Sequence, residues 1–252
     1  MVLFQDKIIY MPSLPPNARL EKLEDYAKAC APVNNASSLP PRAPILSDVL
    51  KTAAKNSAID FTLIALSYRG YWTSSGRASQ AGIERDAEAL MQWIDDEYPD
   101  RKNVELVLWG QSIGAGVACD AAAKYLSRAN DRRIHSLILE TPFASIRSML
   151  VAIYPQKWLP YRYLWPFLWN WWDSEQALRT MARTGQAPKV LLMPSSKDEL
   201  VPPEQADQLE RLCKDLKLDL VRKDVSGALH QQASMWPEGR KALAKYLSER
   251  HL

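Results

Sequence analysis

The sequence predicts an α/β protein built on a mostly parallel sheet with helices on both faces. Three observations predict it. Short apolar runs of strand length recur at residues 61–68, 104–109, 134–139 and 190–193, with helical spacing between several of them. The run at 61–68 is nearly continuous rather than alternating, the pattern of a parallel strand buried on both sides. And at 104–118 an apolar strand passes through Gly110-Gln111-Ser112-Ile113-Gly114 into an alanine-rich helix.

The elements follow in order. Residues 1–60 form an irregular leader holding seven prolines and no glycine, with one helix at 45–55. The run 61–68 reads as a strand. Helical spacing over 80–98 places Ile83, Ala87, Leu90, Met91 and Ile94 on one face, with acidic residues opposite. The strand at 104–109 leads into a helix reaching about Ser127, and 134–139 is the next strand. A cap-like segment occupies 141–188, before a strand at 190–193. An amphipathic helix at 204–216, a strand at 218–225 and a closing helix at 238–247 complete a single domain, 1–252, whose length suffices for one sizeable core.

Composition excludes several classes. The 32 basic and 29 acidic residues are spread along the chain, which argues against nucleic acid as a partner. Cys30, Cys119 and Cys213 are too few and too scattered for a disulfide framework, so reduced, buried thiols are expected. The opening residues lack the apolar length and cleavage site of a signal peptide, and no run reaches membrane-span length. A cytoplasmic or peripherally membrane-associated protein, not a secreted one, is expected. No metal or organic cofactor is implied.

The glycine-flanked serine is the centre of the functional reading. Glycines at 110 and 114 relieve the tight strand-to-helix turn and push the Ser112 hydroxyl outward at a helix N-terminus, where amides and dipole favour developing negative charge. A serine is a poor nucleophile without a base, and the base needs an orienting carboxylate. Of three histidines, His135 opens a strand and His251 is penultimate, whereas His230 lies in a loop between the last strand and the last helix. Asp198 sits in the turn after the 190–193 strand, at the C-terminal sheet edge where ligands gather. Its neighbour Glu199 is the rival, read instead as helix-entry charge. The order Ser112, Asp198, His230 is serine, acid, histidine.

The runs Leu66-Ser67-Tyr68-Arg69-Gly70-Tyr71, Trp109-Gly110-Gln111-Ser112-Ile113-Gly114, Lys197-Asp198-Glu199-Leu200-Val201-Pro202 and Gly227-Ala228-Leu229-His230 resemble the α/β-hydrolase superfamily. More narrowly, they resemble its abhydrolase-domain, serine-aminopeptidase-like fungal members, whose leader is similar to Phe4-Gln5-Asp6-Lys7-Ile8-Ile9-Tyr10 with Pro15-Pro16. The likeness covers most of residues 1–30 and nearly all of 34–252. It implies an α/β-hydrolase fold and an esterase, thioesterase or lipid hydrolase working through an acyl-serine, on a small acyl ester or lipid.

The likeness breaks between leader and first helix. The family has three strands there, the third ending in His-Gly before an oxyanion-hole residue; in this chain Val33-Asn34 stands at the His-Gly position. Strand and turn lengths put the gap at roughly forty residues. The missing third strand belongs between the 61–68 strand and the 104–109 strand, so the N-terminal strands are incomplete at the centre of the sheet. Either the chain is an inactive splice or gene-model variant, with residues 3–10 as a substitute strand, or the oxyanion hole is remodelled. In the second case the Ile113 amide is one donor and Asn35 the other. Loss of one such donor costs about a hundredfold to a thousandfold in rate. A non-catalytic binding module is the rival from another class.

The stretch from Tyr154 to Trp172 carries Trp158, Tyr161, Tyr163, Trp165, Phe167, Trp169, Trp171 and Trp172. Packing in the core or cap is the first reading. Acyl-chain recognition and peripheral membrane contact are the alternatives. Glu140, closing the 134–139 strand, is read as loop scaffolding.

Overall fold

A strand buried on both faces holds its place through neighbours on both sides, and the sheet shows which apolar runs obtain them. The computed structural model describes residues 42–57, 59–71, 74–99, 104–128, 133–153 and 167–249. The leader residues 3–10, Val33-Asn34, Asn35, Cys30, His251 and the aromatics from Tyr154 to Trp165 lie outside them. The described chain falls into two compact units, residues 87–233 and residues 42–86 with 234–249.

The first unit contains four parallel strands in chain order: β1 (Val107–Gln111), β2 (Ser136–Glu140), β3 (Lys189–Met193) and β4 (Leu220–Arg222). In register, Gln111 faces Glu140 and Glu140 faces Met193, so these three strands end level with one another. Every residue of β2 is buried, as the continuous run Leu137-Ile138-Leu139 requires of a strand with neighbours on both sides. β1 is the outer strand among the described residues and only Gly110 in it is fully buried.

The helix after β1, which follows α1 and α2 described below, is α3 (Ile113–Leu126). It packs along β1 and β2, and Ala115, Val117, Cys119 and Ala122 are among its buried residues. Its Gly116 admits two aromatics. A β-carbon there would stand 3.1 Å from Phe143 Cζ and 3.3 Å from Trp172 Cβ, and Trp172 is 1% exposed. Among the described residues of 141–188 are two helices that apolar spacing alone did not reveal, α4 (Ile146–Ile153) and α5 (Ser174–Arg183). Asp173 caps α5 by accepting the Gln176 amide at 2.9 Å, and Ala177, Leu178 and Met181 are buried. The helix α6 (Pro203–Asp215) is tied to β4 by Arg222, whose guanidinium bonds Asp207 at 2.7 Å and Glu210 at 2.5 Å. Lys214, then Arg222, hold the Glu210 carboxyl below its ordinary range. Any stability this brings is therefore present above the carboxyl's unfolded value and lost as pH falls through the lowered one. Cys119 and Cys213 are free and buried, and burial pushes both thiols up to about 12.

In the second unit α1 (Ala43–Asn56), with Pro44 in its first turn, packs Leu46, Val49 and Ala53 against the closing helix α7 (Pro237–Ser248). The Arg42 guanidinium donates to the Ser234 hydroxyl. The helix α2 (Gln80–Glu97) crosses the division between the units, and Arg69 clasps Asp86 in its second turn through backbone and guanidinium at 2.6–3.1 Å.

Two expected strands differ. Residues 61–68 form no strand: Ile64 makes an isolated bridge, and the run is half-buried rather than buried on both sides. An extended apolar segment becomes a strand only with a neighbour's ladder, and among the described residues this run pairs with no strand of the sheet. The strand expected at 218–225 pairs only over 220–222, before Val225 rejoins by a parallel bridge to Ser195. No described helix is long and apolar enough to cross a membrane.

The Gly116 contacts yield a measurable expectation. Gly116→Leu overpacks the α3–Phe143–Trp172 contact and lowers stability by about 1–3 kcal/mol. Thermal denaturation should show Tm down by about 2–12 °C; an unchanged Tm would show that the aromatics give way freely.

Candidate active site

Ser112 lies between β1 and α3 with φ 52° and ψ −119°, a backbone conformation that side-chain-bearing residues rarely adopt. The turn is tight enough that a β-carbon on Gly110 would come within 2.1 Å of the Gly114 carbonyl oxygen. The Ser112 amide donates to the Glu140 carbonyl at 2.9 Å, and its own carbonyl accepts from Ala115 at 2.9 Å, starting the helix. Ile113 is the first residue of α3, where backbone N–H groups lack intrahelical acceptors and point outward with the helix dipole. The site therefore offers a hydroxyl and an amide donor side by side.

Asp198 and His230 meet directly. Nδ1 of His230 lies 2.9 Å from Oδ1 and 2.8 Å from Oδ2 of Asp198, and both side chains are almost fully buried. A carboxylate only accepts, so the proton of the neutral ring sits on Nδ1 and Nε2 keeps its lone pair. Oδ1 also accepts the amides of Leu200 at 2.9 Å and Val201 at 2.7 Å, which fixes the carboxylate before it meets the ring. The residue before Ser112 reaches the His230 loop: Gln111 Nε2 donates to the His230 carbonyl at 3.4 Å. Among the described residues, the Ser112 hydroxyl makes no hydrogen bond to His230.

The two loops are laced together. Ser196 donates its amide to Val225 O at 3.1 Å, Lys197 to Ala228 O at 3.0 Å, and Val225 to Pro194 O at 2.9 Å. Gly227, at φ 78°, donates to the Ser196 hydroxyl at 2.8 Å. Glu199 corrects its expected role: it lies four residues before α6, and its carboxylate accepts the His230 amide at 2.9 Å.

Two neighbours carried little sequence signal. Glu140, 0% exposed, accepts the Trp109 indole N–H at 2.5 Å, which gives physical content to its reading as scaffolding. Thr141 is buried at φ 42°, and its hydroxyl has no partner among the described residues. Adjacent strands thus end in two non-glycine residues at positive φ, and a β-branched residue there is the more costly. Leu200 and Leu229, beside Asp198 and His230, are exposed apolar groups. Among the described residues, no cluster of His, Cys, Asp or Glu is grouped to hold a metal ion.

A family model described as alpha/beta hydrolase fold matches residues 35–192, more than half of the chain. Protein bem46 of Schizosaccharomyces pombe is 34% identical over 157 residues, covering 62% of this chain and 48% of that protein. Lysophosphatidylserine lipase ABHD12 of Danio rerio is 33% identical over 121 residues, covering 48% of this chain and 30% of that one. The chain thus spans about half of the first relative's length and less of the second's. Among solved structures, the hyperthermophilic esterase from Pyrobaculum calidifontis superposes with a TM-score of 0.53 at 15% identity, over 86% of this chain and 71% of that one. Carboxyl esterase 2 of Tuber melanosporum gives 0.54 at 14% identity, over 81% and 71%. At these identities the two structures speak for the fold alone.

The Glu199 brace can be measured. Glu199→Ala removes the acceptor of the His230 amide, a bond to a charged group worth about 1.5–3 kcal/mol at most, and less at this exposed position. Amide hydrogen exchange should quicken across residues 226–232 while β2 and β3 stay protected. Glu199→Gln, which keeps an acceptor, should restore most of the protection; unaltered exchange in the alanine variant would rule the brace out.

Proposed function

The chain belongs to the α/β-hydrolase fold family, and on that premise we propose that it is a serine hydrolase cleaving an ester or thioester of a small acyl substrate or lipid. The buried Asp198–His230 contact carries the proposal. It presents a ring with a free Nε2 lone pair on the loop that Gln111, the neighbour of Ser112, also reaches. In this reading Ser112 Oγ attacks the acyl carbonyl as His230 Nε2 takes its proton, and Asp198 stabilises the imidazolium. The oxyanion is received by the Ile113 amide, with Asn35, outside the described residues, as second donor. His230 returns the proton to the leaving alcohol or thiol. Water, activated by the same ring, then frees the acid from the acyl-serine. Exposed Leu200 and Leu229 favour an acyl chain at this edge. The lipase named among the relatives supports a lipid substrate.

A weakened or non-catalytic form is the second reading. It is favoured by β1 being the outer strand among the described residues.

A fluorophosphonate probe distinguishes the readings. The folded chain should be labelled, Ser112→Ala should not, and Asp198→Asn should turn over p-nitrophenyl esters about 10⁴-fold more slowly while keeping its fold. No labelling of a folded wild-type chain would leave the binding module standing, and labelling that survives Ser112→Ala would remove Ser112 from the chemistry.

A further inference from the structure

The first turn of α6 carries a buried amide side chain. Gln205 is 4% exposed, and its Oε1 accepts the Ala144 amide at 3.1 Å and the Ser148 hydroxyl at 2.7 Å. A backbone amide only donates, so the side-chain atom facing Ala144 is the carbonyl oxygen. β2 ends at Glu140, and the Ala144 amide therefore needs an acceptor from beyond that strand. An apolar residue at 205 would bury as readily and leave this amide unsatisfied.

Ala144 and its neighbours form a junction. The Ala144 carbonyl accepts the Ser174 amide at 2.9 Å, Ser145 bridges to Asp173, and the Trp172 carbonyl accepts the Ile146 amide at 3.0 Å. The chain entering α4 and the chain entering α5 are thus fastened to each other here, and Gln205 fastens the junction to α6.

On its other side Gln205 meets the loop of the acid. Its backbone amide donates to the Pro202 carbonyl at 3.0 Å, and Pro202, at φ −59° and ψ 144°, alone separates Val201 from α6. Pro203 follows as the first residue of the helix. A proline ring fixes φ, so two in succession make this link stiff, and the heading of α6 sets where the preceding amides point. Those amides, of Leu200 and Val201, hold Asp198 Oδ1 at 2.9 and 2.7 Å. The same carboxylate meets His230 Nδ1.

We propose that Gln205 is a positioning residue for the Asp198–His230 pair: by fixing α6 to residues 144–148, it aims the two amides that hold the carboxylate. As geometry the proposal stands on these contacts; as a contribution to turnover it rests on the hydrolase reading.

The test reads the pair directly, by proton and nitrogen NMR of the full chain with ¹⁵N-labelled histidine. The His230 Nδ1 proton, bonded to a buried carboxylate, should lie far downfield and be identified by its loss in His230→Gln. Gln205→Leu should shift it and quicken its exchange with solvent by about tenfold or more. Gln205→Glu, which keeps an acceptor for both donors, should restore the wild-type signal. Ser148→Ala removes one donor and leaves the Ala144 bond, so it should act in the same direction by less, and it serves where Gln205→Leu does not fold. With p-nitrophenyl esters, Gln205→Leu should lower kcat by about fivefold or more with KM little changed. A role in packing alone would lower Tm and leave the ring proton's position and exchange as in the wild type, which overturns the proposal. A folded wild-type chain whose His230 ring proton is unprotected overturns it as well. A chain that shows the protected proton but neither turns over esters nor reacts with fluorophosphonate fails the hydrolase reading alone.

Discussion

The close passage of the Gly110 backbone past that of Gly114 is the constraint on which the C-terminal edge of the sheet depends. With 2.1 Å between a notional β-carbon at 110 and the carbonyl at 114, no other residue fits without moving β1 away from α3. That proximity forces Ser112 to positive φ and turns its amide toward the Glu140 carbonyl. The same contact starts α3 at Ile113, so hydroxyl, helix dipole and first free amide follow from one turn. The strain is met by packing: β2 is buried throughout, and the Trp109 indole closes on the Glu140 carboxylate beside the turn.

The second half of the site is assembled by different means. β3 and β4 end short of the pair, and Asp198 and His230 stand on loops. What regular pairing does not reach, side-chain and loop bonds supply. Asp198 collects two amides of its own loop and the ring of the other, Glu199 takes the His230 backbone, and Gln111 reaches across from the serine's strand. Glu199 and Asp198 therefore divide one task between adjacent carboxylates, one holding the backbone and the other the ring.

Much of the fold was legible because its signals are local. The β1–Ser112–α3 passage is a single run of sequence, and the helices at 43–56, 80–97, 203–215 and 237–248 announce themselves by spacing, by proline in the first turn of three of them and by the Ser79 hydroxyl ahead of the other. What escaped was relational. A run such as 61–68 has the composition of a strand whether or not a neighbour exists, so composition could not foretell that it pairs with no strand among the described residues. The role of Glu199 depends on a loop 31 residues away. The helix at 174–183 did carry a local signal in the capping Asp173, masked by the tryptophans before it. The aromatic stretch held two destinies at alternate positions, core for Trp172 and surface for Trp169 and Trp171, which a residue count cannot separate.

The lacing of the two loops also sets an order of events on heating. β2 and most of β3 are sealed on both faces, so their amides exchange only when the first unit opens as a whole, whereas the pairing of Asp198 with His230 rests on a handful of bonds at the rim. Parting those loops separates acid from ring while the sheet stays intact. The lifetime of the Asp198–His230 contact is then governed by a local opening rate, and a melting curve of the bulk protein reports something else.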